Sequence, residues 1–289
     1  MEFIVSGSTD GCGSSNVCTL ASLENLNHLG GYLCISGLGN VVDFCEAKKA
    51  ELKKKKNLLH VDLFFNSNKE EGRTNEEDKF LLEALQPPSN LEQLKIAQYR
   101  GNTLSPSWLI PLTKLRRPTL SYCENCERLP PLGRLPSLEY LSVNNMSGLK
   151  RVGDEFLGIE SDVASSSSSS SLIVAFPKLK YLKFESLDEW EEWDTTTRRR
   201  EDEEDVVTIM PCLRNLTIDF CIELKALPDY IVRKTTLEEL NINLCSKLKE
   251  RYERGIGEDW SKISHIPNVN IESTLRPAYE SQRDSFYSE

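Results

Sequence analysis

Few residues of this 289-residue chain have the types and spacing that metal binding or catalysis requires. Cys123 and Cys126 enclose Glu-Asn and so form half of the ligand set of a structural zinc site. Because such a site needs four ligands and the sequence has no second Cys-x-x-Cys pair, we expect two ordinary thiols and no bound metal. His28, His60 and His265 lie far apart in sequence, which disfavours a histidine-based metal centre or a catalytic triad.

Motifs for enzyme catalysis and nucleotide binding are also missing from the sequence. It has no nucleophile turn of the form G-x-S-x-G, no paired-histidine motif H-E-x-x-H and no phosphate loop of the form G-x-x-x-x-G-K-[ST]. These motifs supply the nucleophile, the metal ligands or the phosphate-binding amides of common enzymes. We therefore expect a non-catalytic chain that binds no cofactor.

The composition indicates a folded protein of a reducing compartment. The formal net charge is −10 and hydrophobic residues make up 39% of the chain. Acidic chains repel phosphate backbones, so nucleic acid is a disfavoured partner, and no stretch approaches the roughly 18 apolar residues of a membrane helix. The first residues lack the pattern of a signal peptide, so the nine cysteines are expected to be thiols. We expect the protein in the cytoplasm, with the nucleus as an alternative.

An internal repeat dominates the rest of the sequence. Each copy has an apolar residue, two variable residues, a second apolar residue, one variable residue and a third apolar residue. The copies are Leu58-x-x-Val61-x-Leu63, Leu91-x-x-Leu94-x-Ile96, Leu138-x-x-Leu141-x-Val143, Leu179-x-x-Leu182-x-Phe184, Leu213-x-x-Leu216-x-Ile218, Leu237-x-x-Leu240-x-Ile242 and Ile266-x-x-Val269-x-Ile271, with partial copies at Leu33-x-Ile35 and Leu115-x-x-Pro118-x-Leu120. The shortest spacings are 23 and 24 residues, within the roughly 20–29-residue period of leucine-rich repeats.

This period predicts the α/β class and a leucine-rich-repeat solenoid. In such a curved solenoid, short parallel strands line the concave face, and irregular or helical segments form the convex side. The repeated apolar residues stack inward as one core, because no single repeat can bury its own apolar face. Function is then expected on a surface rather than in a pocket.

The spacing of the copies also sets the domain boundaries. We place the repeat domain at 21–274, between flexible segments at 1–20 and 275–289. The longer spacings require insertions, and a loop can be lengthened at little entropic cost. Polar, serine-rich and charged stretches place these insertions near 66–79, 158–174 and 188–208.

The position three residues after the last apolar residue supports the same register. Asn66, Cys123, Cys221 and Cys245 occupy it. A small side chain at this position fits a buried turn after the strand and can give a weak hydrogen bond.

Four local features lie beside this pattern. Helices are predicted over 43–56, which ends in lysines 53–56, and from a capping box at 74–77 to residue 85. We favour a solvated helix face for the lysines over a nuclear targeting signal. Pro118 occupies a strand position and cannot donate a ladder hydrogen bond, so we expect a short or broken strand there. Trp190 and Trp193 either fold back on the solenoid or mark a contact point.

The variable positions of each strand point out of the concave face. They predict a partner-binding surface that consists of His60, Gln93, Lys95, Arg117, Tyr140, Tyr181, Lys183, Asn215, Glu239 and Asn241. Tyr140 and Tyr181 fall in the same column of consecutive copies. An exposed tyrosine pair is a good protein anchor, because tyrosine buries a large area at low entropic cost. The alternative is that the two rings only shield one another.

Several segments resemble one family over most of residues 20–272. They are LASLENLNHLGGYLCISGLGNV (20–41), EAKKAELKKKKNLLHVDLFF (46–65), LLEALQPPSNLEQLKI (81–96), CENCERLPPLGRLPSLEYLSV (123–143) and GEDWSKISHIPNVNIE (257–272). They are similar to the leucine-rich-repeat region of plant coiled-coil nucleotide-binding (CC-NBS-LRR) disease resistance proteins. The nucleotide-binding domain of that family is not represented here, so its ADP or ATP site is assigned to no residue of this chain.

The resemblance implies a sensor and autoinhibitory role in plant defence. The implied partners are proteins: a pathogen effector, a guarded host protein or a neighbouring nucleotide-binding domain. A free-standing repeat protein is the alternative, either a decoy or an adaptor such as the substrate-binding part of a ubiquitin ligase. Residues 1–20 are too rich in glycine and serine to supply the helical docking motif that such an adaptor needs.

Overall fold

A computed structural model describes residues 1–5, 19–67, 75–159, 173–194 and 207–272 of the chain. Ten strands form one parallel sheet whose order follows the sequence, β1-β2-β3-β4-β5-β6-β9-β12-β13-β14. Their bounds are β1 Glu2–Ile4, β2 Gly30–Ser36, β3 Asn57–Phe64, β4 Gln93–Ala97, β5 Arg117–Ser121, β6 Tyr140–Asn144, β9 Tyr181–Glu185, β12 Asn215–Asp219, β13 Glu239–Asn243 and β14 Asn268–Glu272. Each repeat therefore adds one strand beside the last, and the predicted solenoid is confirmed.

Two further parallel pairs lie outside the main sheet. β7 (Arg151–Val152) pairs with β10 (Glu192–Trp193), and β8 (Val174–Ala175) pairs with β11 (Thr208–Ile209). Three of these strands, β8, β10 and β11, fall at or inside the insertions that the sequence predicts near 158–174 and 188–208, whereas β7 lies before the first of these two insertions. The ends of both predicted insertions are therefore part of the folded repeats.

Short helices connect the strands, and the six α-helices in the described residues have ten residues or fewer. They are α1 Cys45–Lys49, α2 Asn75–Ala84, α3 Asp154–Leu157, α4 Asp229–Val232, α5 Ser246–Tyr252 and α6 Trp260–Ile263. The helix expected to end at residue 85 is confirmed as α2, although its capping residue 74 lies outside the described residues. None of the helices in the described ranges has the length and apolar character that crossing a bilayer requires.

The lysine-rich segment differs from the single helix predicted over 43–56. It divides into α1 and a 3-10 turn at Leu52–Lys54, with Glu51 at φ 47° between them. Lys55 does not lie on a solvated face: it is fully buried, and its Nζ donates to the Leu23 carbonyl oxygen at 2.6 Å. Burial lowers the pKa of Lys55. This hydrogen bond joins the segment just before β3 to the 3-10 turn at Leu20–Leu23.

The sheet begins earlier than the predicted domain start at residue 21. Glu2–Ile4 form β1, which pairs with Cys34–Ser36 of β2 in parallel register. No repeat pattern marks this strand in the sequence, because β1 has only two apolar residues, Phe3 and Ile4. β1 covers the edge of β2 that would otherwise be open.

The core is one continuous layer of inward side chains. The middle apolar position of every copy is buried except at the last strand, where Val269 is half-buried. The buried members are Leu33, Val61, Leu94, Leu141, Leu182, Leu216 and Leu240, all between 0% and 2% exposed. They stack strand upon strand and form a single hydrophobic cluster. Burial of each leucine stabilises the arc by about 1.5–3 kcal/mol.

The cysteines of the post-strand turn act as the sequence predicts. Cys123, Cys221 and Cys245 are buried, and each Sγ donates to the carbonyl oxygen two residues earlier at 3.3–3.4 Å. The backbone N–H of Cys221 also donates to the Cys245 sulfur at 3.3 Å. Consecutive turns are thereby joined through their thiols.

Trp190 and Trp193 fold back on the solenoid. They are 0% and 4% exposed, and both rings contact Phe184 of β9, with centroids 4.7 and 5.2 Å away. The Trp190 indole N–H donates to the Glu192 carbonyl oxygen at 3.0 Å. Phe156 also contacts Phe184, at 6.3 Å, so aromatic rings fill this part of the core.

Pro118 affects one side of its strand only. β5 has five residues, like its neighbours, so the prediction of a short strand is wrong. Against β4 the paired residues run from Arg117 to Ser121, but against β6 the pairing begins at Thr119. Proline has no N–H to donate, so the ladder towards β6 is interrupted at this residue.

The residue directly after six of the strands has a left-handed backbone conformation. Non-glycine residues follow six strands with φ between 52° and 59°: Gln98, Tyr122, Asn145, Ser186, Phe220 and Leu244. Each backbone N–H donates to the last carbonyl oxygen of the next strand at 2.8–3.0 Å. The left-handed residue thus turns the chain out of the sheet and keeps the strands in register.

Candidate functional site

Three outward columns cross the concave face of the sheet. In the first, strand pairing aligns Tyr32, His60, Gln93 and Arg117, and then Tyr140, Tyr181, Asn215, Glu239 and Asn268. The second column runs from Glu2 through Cys34, Asp62, Lys95, Thr119, Ser142, Lys183, Thr217 and Asn241 to Asn270. The third runs from Phe64 through Ala97, Ser121, Asn144, Glu185, Asp219 and Asn243 to Glu272.

The structure places all ten predicted surface residues in the first two columns. None is buried: Arg117 and Tyr181 are exposed, and the other eight are partly exposed. The face does not gather them into one site, since the column extends from β3 at His60 to β13 at Glu239. They form three local groups instead.

The central group is the tyrosine pair. Tyr140 and Tyr181 are direct register partners on β6 and β9, and their ring centroids lie 6.4 Å apart with the planes tilted by 38°. Tyr181 is 46% exposed. The rings therefore shield each other only in part and leave apolar surface facing outward.

The first group lies at the N-terminal end of the face. His60 Nε2 is 2.8 Å from Asp62 Oδ1, and the Tyr32 hydroxyl donates to Asp62 Oδ2 at 3.0 Å. The Tyr32 and His60 rings are in contact at 4.6 Å. Burial, together with the hydrogen bonds to Cys34 and Asp62, raises the pKa of the Tyr32 hydroxyl.

Two residues of this end were not predicted from the sequence. Tyr32 directly precedes Leu33 of the partial first copy, a signal that was present, but a register shift after Gly31 separates it from the preceding residues of the strand. Phe64 starts the third column, and the Lys95 ammonium lies 5.0 Å from its ring centroid. This contact partly covers Lys95 by a cation–π interaction.

The last group is acidic and lies on β9, β12 and β13. Lys183 Nζ is 2.8 Å from Glu185 and 3.5 Å from Asp219. Burial lowers the pKa of Lys183, but the hydrogen bond and charge of Glu185 and the charge of Asp219 outweigh it, and the net pKa is raised. The third-column carboxylates were not predicted, because they follow the last apolar residue of each copy and lie outside its pattern.

Glu239 is held by amide groups rather than by a cation. Asn215 Nδ2 donates to one carboxylate oxygen and Asn241 Nδ2 to the other, the latter at 2.7 Å. Of the ten predicted residues, the structure thus brings these three into direct contact. Their arrangement keeps a negative charge at the centre of this end of the face.

The Cys-x-x-Cys pair faces the core instead of solvent. Cys123 and Cys126 are buried, and burial raises their pKa values to about 12 and about 11. Both thiols donate to backbone carbonyl oxygens, Cys123 to Ser121 and Cys126 to Arg128. Across the described ranges, no three or more His, Cys, Asp or Glu side chains are grouped to hold a metal ion.

Comparison with known families gives a match over the first half of the chain. Residues 20–146 match the model of the R13L1/DRL21 leucine-rich repeats. A disease resistance protein of Arabidopsis thaliana is 31% identical over 92% of this chain and 18% of its own length. Disease resistance RPP13-like protein 1 from the same plant is 30% identical over 81% of this chain and 22% of its own length.

A potato relative and a solved structure extend the comparison. Disease resistance protein RGA2 of Solanum bulbocastanum is 30% identical over 87% of this chain and 34% of its own length. The chain thus spans about a fifth to a third of these curated relatives. The leucine-rich-repeat domain of the type III effector XopL superposes with a TM-score of 0.51 at 16% identity, covering 86% of this chain and 71% of that domain, which indicates the same fold.

Proposed function

We propose that this chain, which belongs to the leucine-rich-repeat proteins of plant disease resistance, binds a protein partner with its concave face as part of immune sensing. Repeat solenoids present extended concave surfaces that are suited to proteins. The Tyr140–Tyr181 pair at the centre of that face, in which Tyr181 is exposed and Tyr140 partly exposed, is the observation that carries the proposal.

The partner follows from the type of surface. The three columns offer aromatic, amide and charged side chains over ten strands, and three clefts elsewhere in the described residues are lined by residues outside these columns. A broad and shallow surface suits a folded protein, whose interface typically buries about 800 Å² on each side. We propose a pathogen effector, a guarded host protein or an adjoining nucleotide-binding domain, met in the cytoplasm or nucleus.

Site-specific photocrosslinking in plant cells tests this proposal. A photoreactive phenylalanine analogue replaces Tyr181 in the full chain, and a control chain carries it at Arg233, an exposed residue directly after α4. We expect a discrete covalent adduct from position 181 and none from position 233. Comparison of infected with uninfected tissue, with mass spectrometry of the adduct, separates an effector from a host partner. Equal labelling from both positions would contradict the proposal.

A further inference from the structure

The C-terminal end of the concave face has a composition of its own. Four strands, β9, β12, β13 and β14, contribute twelve outward residues to the three columns, and among them four are carboxylates and one is a cation. The carboxylates are Glu185, Asp219, Glu239 and Glu272, and the cation is Lys183. The N-terminal end differs, because there two cations, Lys95 and Arg117, are matched by two carboxylates, Glu2 and Asp62.

The charges of Glu185, Asp219 and Glu239 are only partly compensated by cations. Lys183 is shared by Glu185 and Asp219, so one cation serves two carboxylates. Asp219 also accepts a hydrogen bond from the Asn243 amide at 2.8 Å. Glu239 has two amide donors and, within the part of the chain that the structure describes, no Lys or Arg partner. Amide donors hold a carboxylate in place without cancelling its charge.

Apolar side chains border the acidic strands on two sides. The Tyr140–Tyr181 pair lies where β6 meets β9, the first of these strands, in the first column. Beyond the third column, Phe220 and Ile222 follow β12 and are 37% and 47% exposed. Phe220 stands at the rim because its left-handed backbone turns away from the sheet directly after Asp219, while its N–H donates to the Asn243 carbonyl oxygen at 2.9 Å.

We propose that β9, β12, β13 and β14 form a docking surface for a basic, amphipathic segment of a partner protein. The inference rests on the proposed function and specifies the chemistry of the partner. Arg or Lys side chains of the segment pair with Asp219 and Glu239, and its apolar side chains cover the tyrosine pair and the Phe220–Ile222 rim. Charge complementarity supplies orientation and rate of association, and the buried apolar contacts supply most of the affinity.

The same observations disfavour other large partners. Nucleic acids and anionic membranes carry the sign of charge that this surface repels. A purely cationic ligand would leave the four exposed or partly exposed apolar groups uncovered. The combination of carboxylates with bordering rings therefore favours a protein segment that is both basic and apolar.

Fluorescence anisotropy with model peptides tests the docking surface. The probe is a labelled twelve-residue peptide of alternating Arg and Leu, compared with peptides that alternate Glu with Leu and Arg with Ser. We expect the full chain to bind the Arg–Leu peptide, and the double variant Asp219→Asn, Glu239→Gln to weaken this binding about tenfold at low salt. The two substitutions are nearly isosteric, so circular dichroism should be unchanged.

A matched control removes the same charge elsewhere. Asp188→Asn with Glu250→Gln alters two exposed carboxylates outside the three columns and should leave the affinity within about twofold. Equal weakening by both double variants, or equal binding of the Glu–Leu peptide, would overturn the proposal. Equal binding of the Arg–Ser peptide would overturn the apolar part of it.

The peptide-binding experiment and the photocrosslinking experiment can fail independently of each other. An adduct from position 181 together with failure of the Arg–Leu peptide would leave protein binding in place and reject a basic partner. Absence of any adduct with retained, carboxylate-dependent peptide binding would reject the immune-sensing proposal while the surface chemistry stands.

Discussion

The repeats that carry insertions and the compact repeats fill the same core in different ways. Between β6 and β12, successive middle leucines lie 41 and 34 residues apart, and Phe156, Phe176, Phe184, Trp190 and Trp193 fill the interior. Between β12 and β13 the spacing is 24 residues, and the interior is filled by leucines and by Cys221 and Cys245, whose N–H and sulfur are hydrogen-bonded. Protein interiors are filled to near-crystalline density, so both kinds of repeat close the core, here mainly with aromatic rings and there mainly with leucines.

The largest expected effect comes from the aromatic core. Trp190→Ala removes a fully buried indole that packs on Phe184 and Trp193, and we expect it to lower the free energy of unfolding by about 3–5 kcal/mol. Urea denaturation followed by circular dichroism measures the change. Phe80→Ala, at a ring that is 61% exposed, is the control and should have a small effect. A loss below about 1 kcal/mol for Trp190→Ala would show that the insertion is not part of the core.

The compact repeats should respond almost as strongly at their leucines. Leu216→Ala opens a cavity in a fully buried position of β12, and we expect a loss of about 2–5 kcal/mol in the same measurement. Leu59→Ala on β3, where the side chain is 44% exposed, serves as its control. If Leu216→Ala and Leu59→Ala unfold at the same urea concentration, the prediction that inward leucines such as Leu216 form the core is refuted.

Acid should weaken the C-terminal end of the solenoid. Hydrogen bonds from Lys262, at 2.7 Å, and Arg251, at 2.5 Å, lower the pKa of the Asp259 carboxyl. A lowered folded-state pKa stabilises the fold above the unfolded value of about 3.9, and this contribution is lost as pH falls through the folded value. Asp259→Asn should therefore cost about 1–3 kcal/mol at pH 7 and reduce the loss of stability between pH 4 and 2. Thermal melts at both ends of this range measure it, and parallel pH profiles of the two proteins would contradict it.

The thiol contact of the compact repeats is expected to be worth less. Cys245→Ala removes the sulfur that accepts from the Cys221 N–H, and we expect a loss of about 1 kcal/mol. Cys212→Ala, at an exposed cysteine, should be neutral. A melting temperature unchanged in both variants would mean that the leucines alone hold these repeats.

The smallest effect on stability should come from the concave face. Tyr140→Ala with Tyr181→Ala removes one cross-strand aromatic pair, and we expect a loss of at most about 1 kcal/mol, with loss of the adduct from a photoreactive group placed at Lys183. If stability falls as far as in Trp190→Ala, the pair belongs to the core and the surface assignment is wrong.

The sequence predicts the strands and the first two columns well, because inward apolar residues recur at fixed positions and each outward residue lies beside one. His60, Tyr181 and Glu239 could be assigned to one face for this reason. The third column could not be assigned, since Asp219 and Glu185 follow the last apolar residue and adjoin a turn whose conformation the pattern does not contain.

Other failures come from long-range contacts. Lys55 lies in a run of lysines that looks solvated, and its burial depends on the Leu23 carbonyl group, 32 positions earlier. The burial of Trp190 depends on its contacts with Phe184 and Trp193 in the folded chain, which the repeat pattern does not contain. β1 is too short to show any period at all, and pairing with β2 alone defines it.

The left-handed residue that follows six of the strands affects how such a surface can change. Six unlike side chains occupy this position: Gln98, Tyr122, Asn145, Ser186, Phe220 and Leu244. The position therefore requires a left-handed backbone and places little demand on side-chain identity. Each such position costs about 1 kcal/mol that glycine would not, yet a side chain is kept. Side chains at these positions can therefore differ in charge and polarity from one repeat to the next, while the buried apolar core beneath them stays the same.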